Sequence, residues 1–290
     1  MEFVTRFAPS PTGRLHLGHA YSALLAFDAA RAAGGRFLLR IEDIDATRVR
    51  PEFEQAIYQD LAWLGLTWDR NVRRQSEHLP DYAADIAKLR ELGVVYRCFL
   101  TRREIAEQAA SAPHTFGEGP DGLVYKGPAA PMSADEEEMR LARGDAYAWR
   151  LSMRYSQDLL GEQFARLVFV EQDPGSKLER EITACPESHG DVILGRKDVA
   201  VSYHIAVVHD DALQGVTHVI RGEDLRASTD VHVLLQKLLG LSQPAYRHHK
   251  LLTGPDGKRY AKRDQSLTLA SLRAEGVTPA QIRARIGLPS

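Results

Sequence analysis

Arg6-Phe7-Ala8-Pro9-Ser10-Pro11-Thr12-Gly13, followed after Arg14 and Leu15 by His16-Leu17-Gly18-His19, is the stretch on which the reading of this sequence turns. Two histidines flank a glycine where an apolar run gives way to an Ala/Leu-rich one. That layout suits a nucleotide α-phosphate: Gly18 lets the nucleotide approach the backbone, both imidazoles can donate hydrogen bonds, and a helix start adds N–H groups and the positive end of its dipole. Taken alone, the same residues are compatible with a Pro-rich turn carrying two solvated histidines.

The flanking residues favour the first alternative. Phe3 to Phe7 reads as a short strand ending at Pro9. From His19 to Ala33, with Ala20, Leu24 and Phe27 at helical spacing, the pattern predicts a helix stopped by Gly34-Gly35. Arg36-Phe37-Leu38-Leu39-Arg40-Ile41-Glu42-Asp43 then reads as a buried strand. Strand, loop, helix, strand is the opening unit of a doubly wound α/β fold with a parallel sheet, in which ligands bind at the carboxyl ends of the strands. Both the 6–19 segment and Glu42 would lie there.

Composition bounds the rest. The 290 residues can bury a large core, and a formal net charge of −2 gives no global basic field, so a nucleic-acid partner would be met by local patches. The two cysteines, Cys98 and Cys185, suggest neither a disulfide framework nor a Cys-based zinc site. No apolar run approaches a membrane span and no signal-peptide pattern opens the sequence; a cytoplasmic enzyme is the expectation. From Thr101 to Asp145 the sequence is rich in Gly and Pro and poor in strand-like runs, and holds the acidic run Asp135-Glu136-Glu137-Glu138, which suits a helix start. Val192-Ile193-Leu194 and Val216 to Ile220 read as a return to sheet, Val231 to Leu239 as a helix, and Thr278-Pro279 as the start of a last short one. The expected organisation is a core at 1–97 and 186–240, an inserted α+β subdomain at 98–185, and a short helical C-terminal region at 241–290.

Several separated blocks, in order, resemble the class I glutamyl-tRNA synthetases. They are the 6–19 stretch, Leu39 to Arg48 (LRIEDIDATR), Ser202 to Asp211 (SYHIAVVHDD) and Val219 to Leu225 (VIRGEDL). The resemblance spans nearly the whole sequence and implies a Rossmann-type catalytic core that uses ATP with Mg²⁺. It also implies a Lys-Met-Ser-Lys-Ser-type loop over the ATP phosphates. Here Lys258-Arg259-Tyr260-Ala261-Lys262-Arg263 takes that place, with Arg259 and Lys262 as the cations and Ala261 where a serine hydroxyl is usual. Few residues follow Arg263, too few for an anticodon-binding domain. The resemblance is therefore to the branch that attaches glutamate to queuosine, the modified wobble base of tRNA(Asp), and the expected partners are L-glutamate, ATP and that anticodon loop, met by a monomer.

Roles follow from charge and shape, helped by the resemblance. Glutamate presents one cation and two anions. Arg6 and Arg221 would take the carboxylates through guanidinium forks, Glu42 the α-amino group, and Ser10 and Tyr203 would add hydroxyl hydrogen bonds. His16, His19 and Lys262 would be catalytic, with Gly18, Arg259 and Lys262 holding ATP. Arg40, Asp43, Asp45 and Arg48 read as structural. The basic stretch Arg247, Lys250, Lys258, Arg259, Lys262 and Arg263 could serve ATP, RNA or both. Many members of the family bind zinc in the insertion through Cys-x-Cys, a Tyr and a later Cys. This sequence has Cys98, Leu100, Tyr125 and Ala129 at those places, short of the four ligands a structural site needs, so no metal is expected there. Three rivals stay open: a truncated synthetase charging tRNA(Glu), an ATP-dependent ligase or nucleotidylyltransferase without RNA, and a non-catalytic RNA-binding paralogue. Tyr203 and Arg221 weigh against the second, and intact His16, His19, Glu42 and Lys262 against the third.

Overall fold

The structure, a computed structural model, describes residues 2–111, 117–120, 122–128, 130–173, 178–196, 201–252 and 268–289. Lys258 to Arg263, with the expected ATP-loop residues Arg259 and Lys262, and Ala129 lie outside the described residues.

The N-terminal unit forms as the pattern predicts. β1 (Val4–Phe7) pairs in parallel with β2 (Arg36–Ile41), and β2 with the short β3 (Arg73–Arg74). Between them run α1 (Leu17–Ala32) and α2 (Pro51–Trp63). α1 begins two residues before the apolar period suggests, because His16 itself caps it. The His16 Nδ1 accepts from the Gly18 N–H at 3.1 Å, and the His19 Nδ1 accepts from the His16 N–H at 3.2 Å. Gly34, at φ +63°, ends the helix region in a conformation that favours glycine.

α3 (Leu79–Glu91) leads into β4 (Val95–Cys98), α4 (Arg102–Ser111), the hairpin β5 (Gly117–Gly119) and β6 (Gly122–Val124), α5 (Ala134–Ala142), β7 (Ala148–Leu151) and α6 (Met153–Leu160). The acidic run does open a helix: Ser133 caps α5 and three acids occupy its first turn. β8 (Val168–Gln172), β9 (Glu179–Thr183) and β10 (Val192–Arg196) follow, then α7 (Tyr203–Leu213), β11 (His218–Gly222), α8 (Ser228–Leu239) and β12 (Ala245–His249). α9 (Leu269–Ala274) and α10 (Pro279–Arg285) close the chain, α10 behind a Thr278–Gln281 capping box.

β11 and β12 are parallel, β8 joins β12 in parallel, and β9 pairs antiparallel with β8. This block meets the first at β1, where the Thr217 N–H donates to the Val4 carbonyl and the Val4 N–H donates to Thr217 Oγ1. From that seam β1–β2–β3 runs one way and β11–β12 the other. A crevice therefore opens at the carboxyl ends of β1 and β11, where such sheets bind ligands. The strand pairing runs across the boundaries drawn from composition: β8 and β9 belong with β12, and β10 sits with β7 and β4 in an antiparallel sheet.

Two apolar clusters hold the core. One gathers Leu38, Tyr82, Leu151, Ile205 and Leu234, and the other Leu24, Phe37, Ile41, Leu61, Leu269 and Ile282, which docks the C-terminal helices against α1 and α2. No helix among the described residues is long and apolar enough to cross a membrane.

A small third cluster joins buried Cys98, Ile105 and Tyr125, with Leu100 packed against it. The Cys98 thiol lies 4.0 Å from the Tyr125 hydroxyl. Among the described residues no three His, Cys, Asp or Glu side chains converge as a metal site. Leu100 supplies methyl groups where a thiolate would be needed. With Leu100 and Ala129 in place of two thiolates in the sequence, purified protein is expected to carry far less than one zinc per chain, and a chelator to leave its melting temperature unchanged. Stoichiometric zinc lost together with structure would contradict this.

Candidate active site

Arg6, Glu42, Tyr203 and Arg221, distant in sequence, line one cavity of about 490 Å³ together with His16, Gly18 and His19. Arg6 comes from β1, Glu42 from the residue after β2, Arg221 from β11 and Tyr203 from the first turn of α7. Ser10 is not brought in: it is exposed, outside the cavity lining, and its carbonyl accepts from the Thr12 N–H.

His16 and His19 lie with ring centroids 3.8 Å apart and planes tilted by 38°. Their Nδ1 atoms are acceptors in the helix cap, which places the ring proton of each neutral imidazole at Nε2. Gly18 has a steric reason besides ligand approach, since a Cβ there would lie 3.0 Å from His16 Cε1 and 3.1 Å from its Nδ1.

The floor is a buried charge network. The Arg6 Nε donates to Asp211 at 3.2 Å, and the Arg40 Nη1 donates to the same carboxylate at 2.7 Å. The Arg40 Nη2 reaches Glu42 at 3.2 Å. Asp210, beside Asp211 on α7, accepts from Arg73, Gln75 and Tyr82. Burial works to raise the Asp211 carboxyl, but Arg6 and Arg40 outweigh it and hold the group below its ordinary range. For Glu42 burial wins: Arg40 and Arg6 offset it only in part, and the carboxyl is raised. Glu42 is thus a carboxylate whose charge the protein's own cations compensate incompletely.

Arg221 is its counterpart. It is 5 % exposed, and no carboxylate pairs with it among the described residues. Its donors meet neutral acceptors instead: Thr229 Oγ1 at 2.8 Å, Tyr203 Oη at 3.1 Å and His248 Nε2 at 3.3 Å. Burial first, then the Arg221 charge, pushes His248 down to about 4, against the opposing pull of Glu171. His232 is driven well below its ordinary range by the same two causes. The protein fixes this guanidinium with hydrogen bonds that leave its charge unneutralised. A buried cation is costly unless something anionic joins it.

Sequence reasoning did not single out Asp211, which orients Arg6, nor Ser22 and His249. The last two line the cavity and share a 2.8 Å hydrogen bond. The signal for Asp211 was present: Asp210-Asp211 interrupts an otherwise apolar helix. His249 gave none, because its place depends on the pairing of β12 with β11.

A pH dependence follows from Glu42. Its raised carboxyl takes a proton as pH falls while ordinary carboxylates are still ionised, and the neutral form attracts an ammonium ion far less. KM for an amino-bearing ligand should therefore rise on the acid side, beginning above the usual carboxylate range. In Glu42→Gln that acid limb should vanish and KM should be high at neutral pH. An unchanged acid limb in this variant would contradict the assignment.

The family described as tRNA synthetases class I (E and Q), catalytic domain, matches residues 2–288. The Glutamyl-Q tRNA(Asp) synthetase of Rhodobacter capsulatus is 50 % identical over 290 residues, a match covering 98 % of this chain and 100 % of that protein. Glutamate–tRNA ligase 2 of Ruegeria sp. is 40 % identical over 287 residues, covering 98 % of this chain and 60 % of that protein. Among solved structures, a glutamate tRNA ligase from Elizabethkingia meningosepticum in complex with its amino acid aligns with a TM-score of 0.72 at 28 % identity. That alignment covers 91 % of this chain and 52 % of the other, so the chain spans about half the length of that solved relative.

Proposed function

The chain belongs to the class I tRNA synthetases for glutamate and glutamine, and within them to the glutamyl-Q tRNA(Asp) synthetases, and on that premise we propose that it activates L-glutamate with ATP and transfers it to queuosine in the anticodon of tRNA(Asp). The observation that carries the reading is the pairing of unmet charges in one cavity: Arg221, a buried guanidinium that no carboxylate meets among the described residues, and Glu42, a raised carboxylate. An amino acid supplies the ammonium and one carboxylate for these two, and Arg6 in the same cavity offers a place for a second carboxylate.

In the proposed arrangement Arg221 and the terminal nitrogens of Arg6 hold the two carboxylates. Glu42 takes the ammonium, and the Tyr203 hydroxyl, already accepting from Arg221, donates its proton to the substrate. A glutamate carboxylate oxygen attacks the α-phosphorus of ATP; that bond forms as the bond to pyrophosphate breaks. The Nε2–H groups of His16 and His19 donate to the α-phosphate oxygens as negative charge builds there, beside the N-terminus of α1. Lys262 and Arg259 draw off charge from the departing pyrophosphate, and Mg²⁺ arrives as part of the ATP chelate. A queuosine ring hydroxyl then attacks the activated carbonyl; AMP leaves, and the hydroxyl proton leaves with it. No side chain bonds covalently to substrate; positioning and electrostatics carry the reaction. All the side chains named lie on one chain, and the proposal includes a monomer acting in the cytoplasm.

ATP–pyrophosphate exchange tests the first half. It should depend on glutamate, proceed without RNA, and respond weakly to aspartate and glutamine. Equal exchange with aspartate would contradict the assignment of Arg6 and Arg221.

A further inference from the structure

Beside Arg221, outside the cavity lining, stand His248 on β12 and Glu171 on β8. The parallel pairing of β11 with β12 sets His248 opposite Arg221, and β12 meets β8 where Tyr246 faces Glu171. A line of hydrogen bonds crosses these three strands. The Arg221 Nε donates to His248 Nε2 at 3.3 Å, and His248 Nδ1 lies 2.9 Å from Glu171 Oε1. The other Glu171 oxygen is held from outside by Arg226, whose Nη2 lies 2.9 Å from it. His248 itself is buried.

One protonation form of His248 satisfies every one of these contacts. Thr229 Oγ1, on α8, accepts from the Arg221 Nη2 at 2.8 Å and lies 3.3 Å from His248 Nε2. With Nε2 bare, that nitrogen accepts from the Arg221 Nε–H and from the Thr229 hydroxyl, while the Nδ1–H donates to Glu171. With the proton on Nε2 instead, two N–H groups would face each other at Arg221, and a lone pair would face the Glu171 carboxylate. A doubly protonated ring would keep the Glu171 bond but set a second cation against the guanidinium. The downward shift of His248 agrees with a neutral ring at pH 7.

We propose that Glu171 and His248 are positioning residues of the amino-acid site: the Glu171 carboxylate fixes the His248 tautomer, and the bare Nε2, with Thr229, aims the Arg221 guanidinium at a substrate carboxylate. This rests on the synthetase reading above and adds what orients its anion-binding arginine. A carboxylate at position 248 would hold the guanidinium as firmly but would neutralise it, and the charge that draws a carboxylate in would be spent inside the protein. An imidazole supplies a lone pair without a charge. The negative charge that orients the ring stands one residue further away, on Glu171, where Arg226 meets it. Arg221 is thereby fixed in direction and left cationic towards the cavity.

Substitutions that mimic one ring nitrogen at a time provide the test, read by pyrophosphate exchange on protein whose folding is checked by circular dichroism. His248→Leu removes the acceptor and should raise KM for glutamate by about tenfold or more, the loss of a hydrogen bond to a charged group, with KM for ATP little changed. His248→Gln places a carbonyl oxygen near the position of Nε2 and should recover most of that loss; His248→Asn, whose oxygen falls near Nδ1, should not. Glu171→Leu leaves both tautomers open and should raise KM for glutamate by about twofold or more, as half of the molecules lose the competent form. Nitrogen-15 NMR of the imidazoles, with the His248 signals identified by their loss in His248→Gln, should show the proton on Nδ1 in wild type and a mixture in Glu171→Leu. A proton on Nε2 in wild type would overturn the assignment. So would an unchanged KM for glutamate in His248→Leu, or equal rises for glutamate and ATP. A wild-type protein that activates no glutamate would instead overturn the synthetase reading, and this assignment with it.

Discussion

Arg221→Ala is expected to lower kcat/KM for glutamate activation by roughly 30- to 5,000-fold while KM for ATP changes little. The range is the cost of removing one member of a buried, hydrogen-bonded charge pair, about 2–5 kcal/mol, at about 1.4 kcal/mol per tenfold. The effect should be large because Arg221, among the described residues, meets neutral acceptors and no carboxylate, with His248 and His232 both held towards their neutral forms. Arg221→Lys keeps a positive charge but loses the planar fork, and should recover only part of the loss. Pyrophosphate exchange over a range of glutamate and ATP concentrations distinguishes the outcomes. Equal effects on both substrates would point to collapse of the cavity rather than removal of a carboxylate ligand.

The second large effect concerns stability. Asp211→Asn should destabilise the fold by about 3–5 kcal/mol, the usual cost of breaking a buried ion pair by removing one partner. One carboxylate here serves two buried guanidiniums, those of Arg6 and Arg40. Glu42 and Asp210 remain near Arg40, but Arg6 has no other ion pair among the described residues. Urea unfolding of wild type and variant measures the loss. The sign of its pH dependence is fixed as well. The Asp211 carboxyl lies below its ordinary range in the folded protein, so its contribution is present at neutral pH and is lost as pH falls through that lowered value. The difference between wild type and Asp211→Asn should therefore shrink in acid. A loss below about 1 kcal/mol would mean that the network is stabilised by its other members, a result that a double-mutant cycle with Arg6→Met would apportion.

The opening βαβ unit was legible because each of its elements is local: strand runs of apolar residues and a helix with a glycine stop, although the cap formed by His16 was not foreseen. The same is true of α5, opened by its acidic run, and of α10, whose cap is written in Thr278. The partners of those elements were less legible. The sheet of β4, β7 and β10 joins segments separated by α4, the β5–β6 hairpin, α5 and further elements, and antiparallel pairing over such distances leaves no local pattern. The composition of 98–185 therefore suggested one inserted unit, whereas β8 and β9 within it pair towards β12. The site shows the same division. Arg6, Glu42, Tyr203 and Arg221 were found by charge complementarity to glutamate and by resemblance, and the structure gathers them in one cavity. Ser10 was placed there by the same reasoning but is exposed at the turn after β1. Asp211, Ser22 and His249 escaped because their parts are set by what lies across the sheet.

The identity of the acceptor is tested most directly by one comparison. Labelled glutamate is offered, with ATP, to tRNA(Asp) carrying queuosine, to the same tRNA with guanosine at that position, and to tRNA(Glu). The account predicts label in the first alone. Strong charging of tRNA(Glu), with queuosine making no difference in tRNA(Asp), would contradict it and establish the chain as a synthetase for tRNA(Glu).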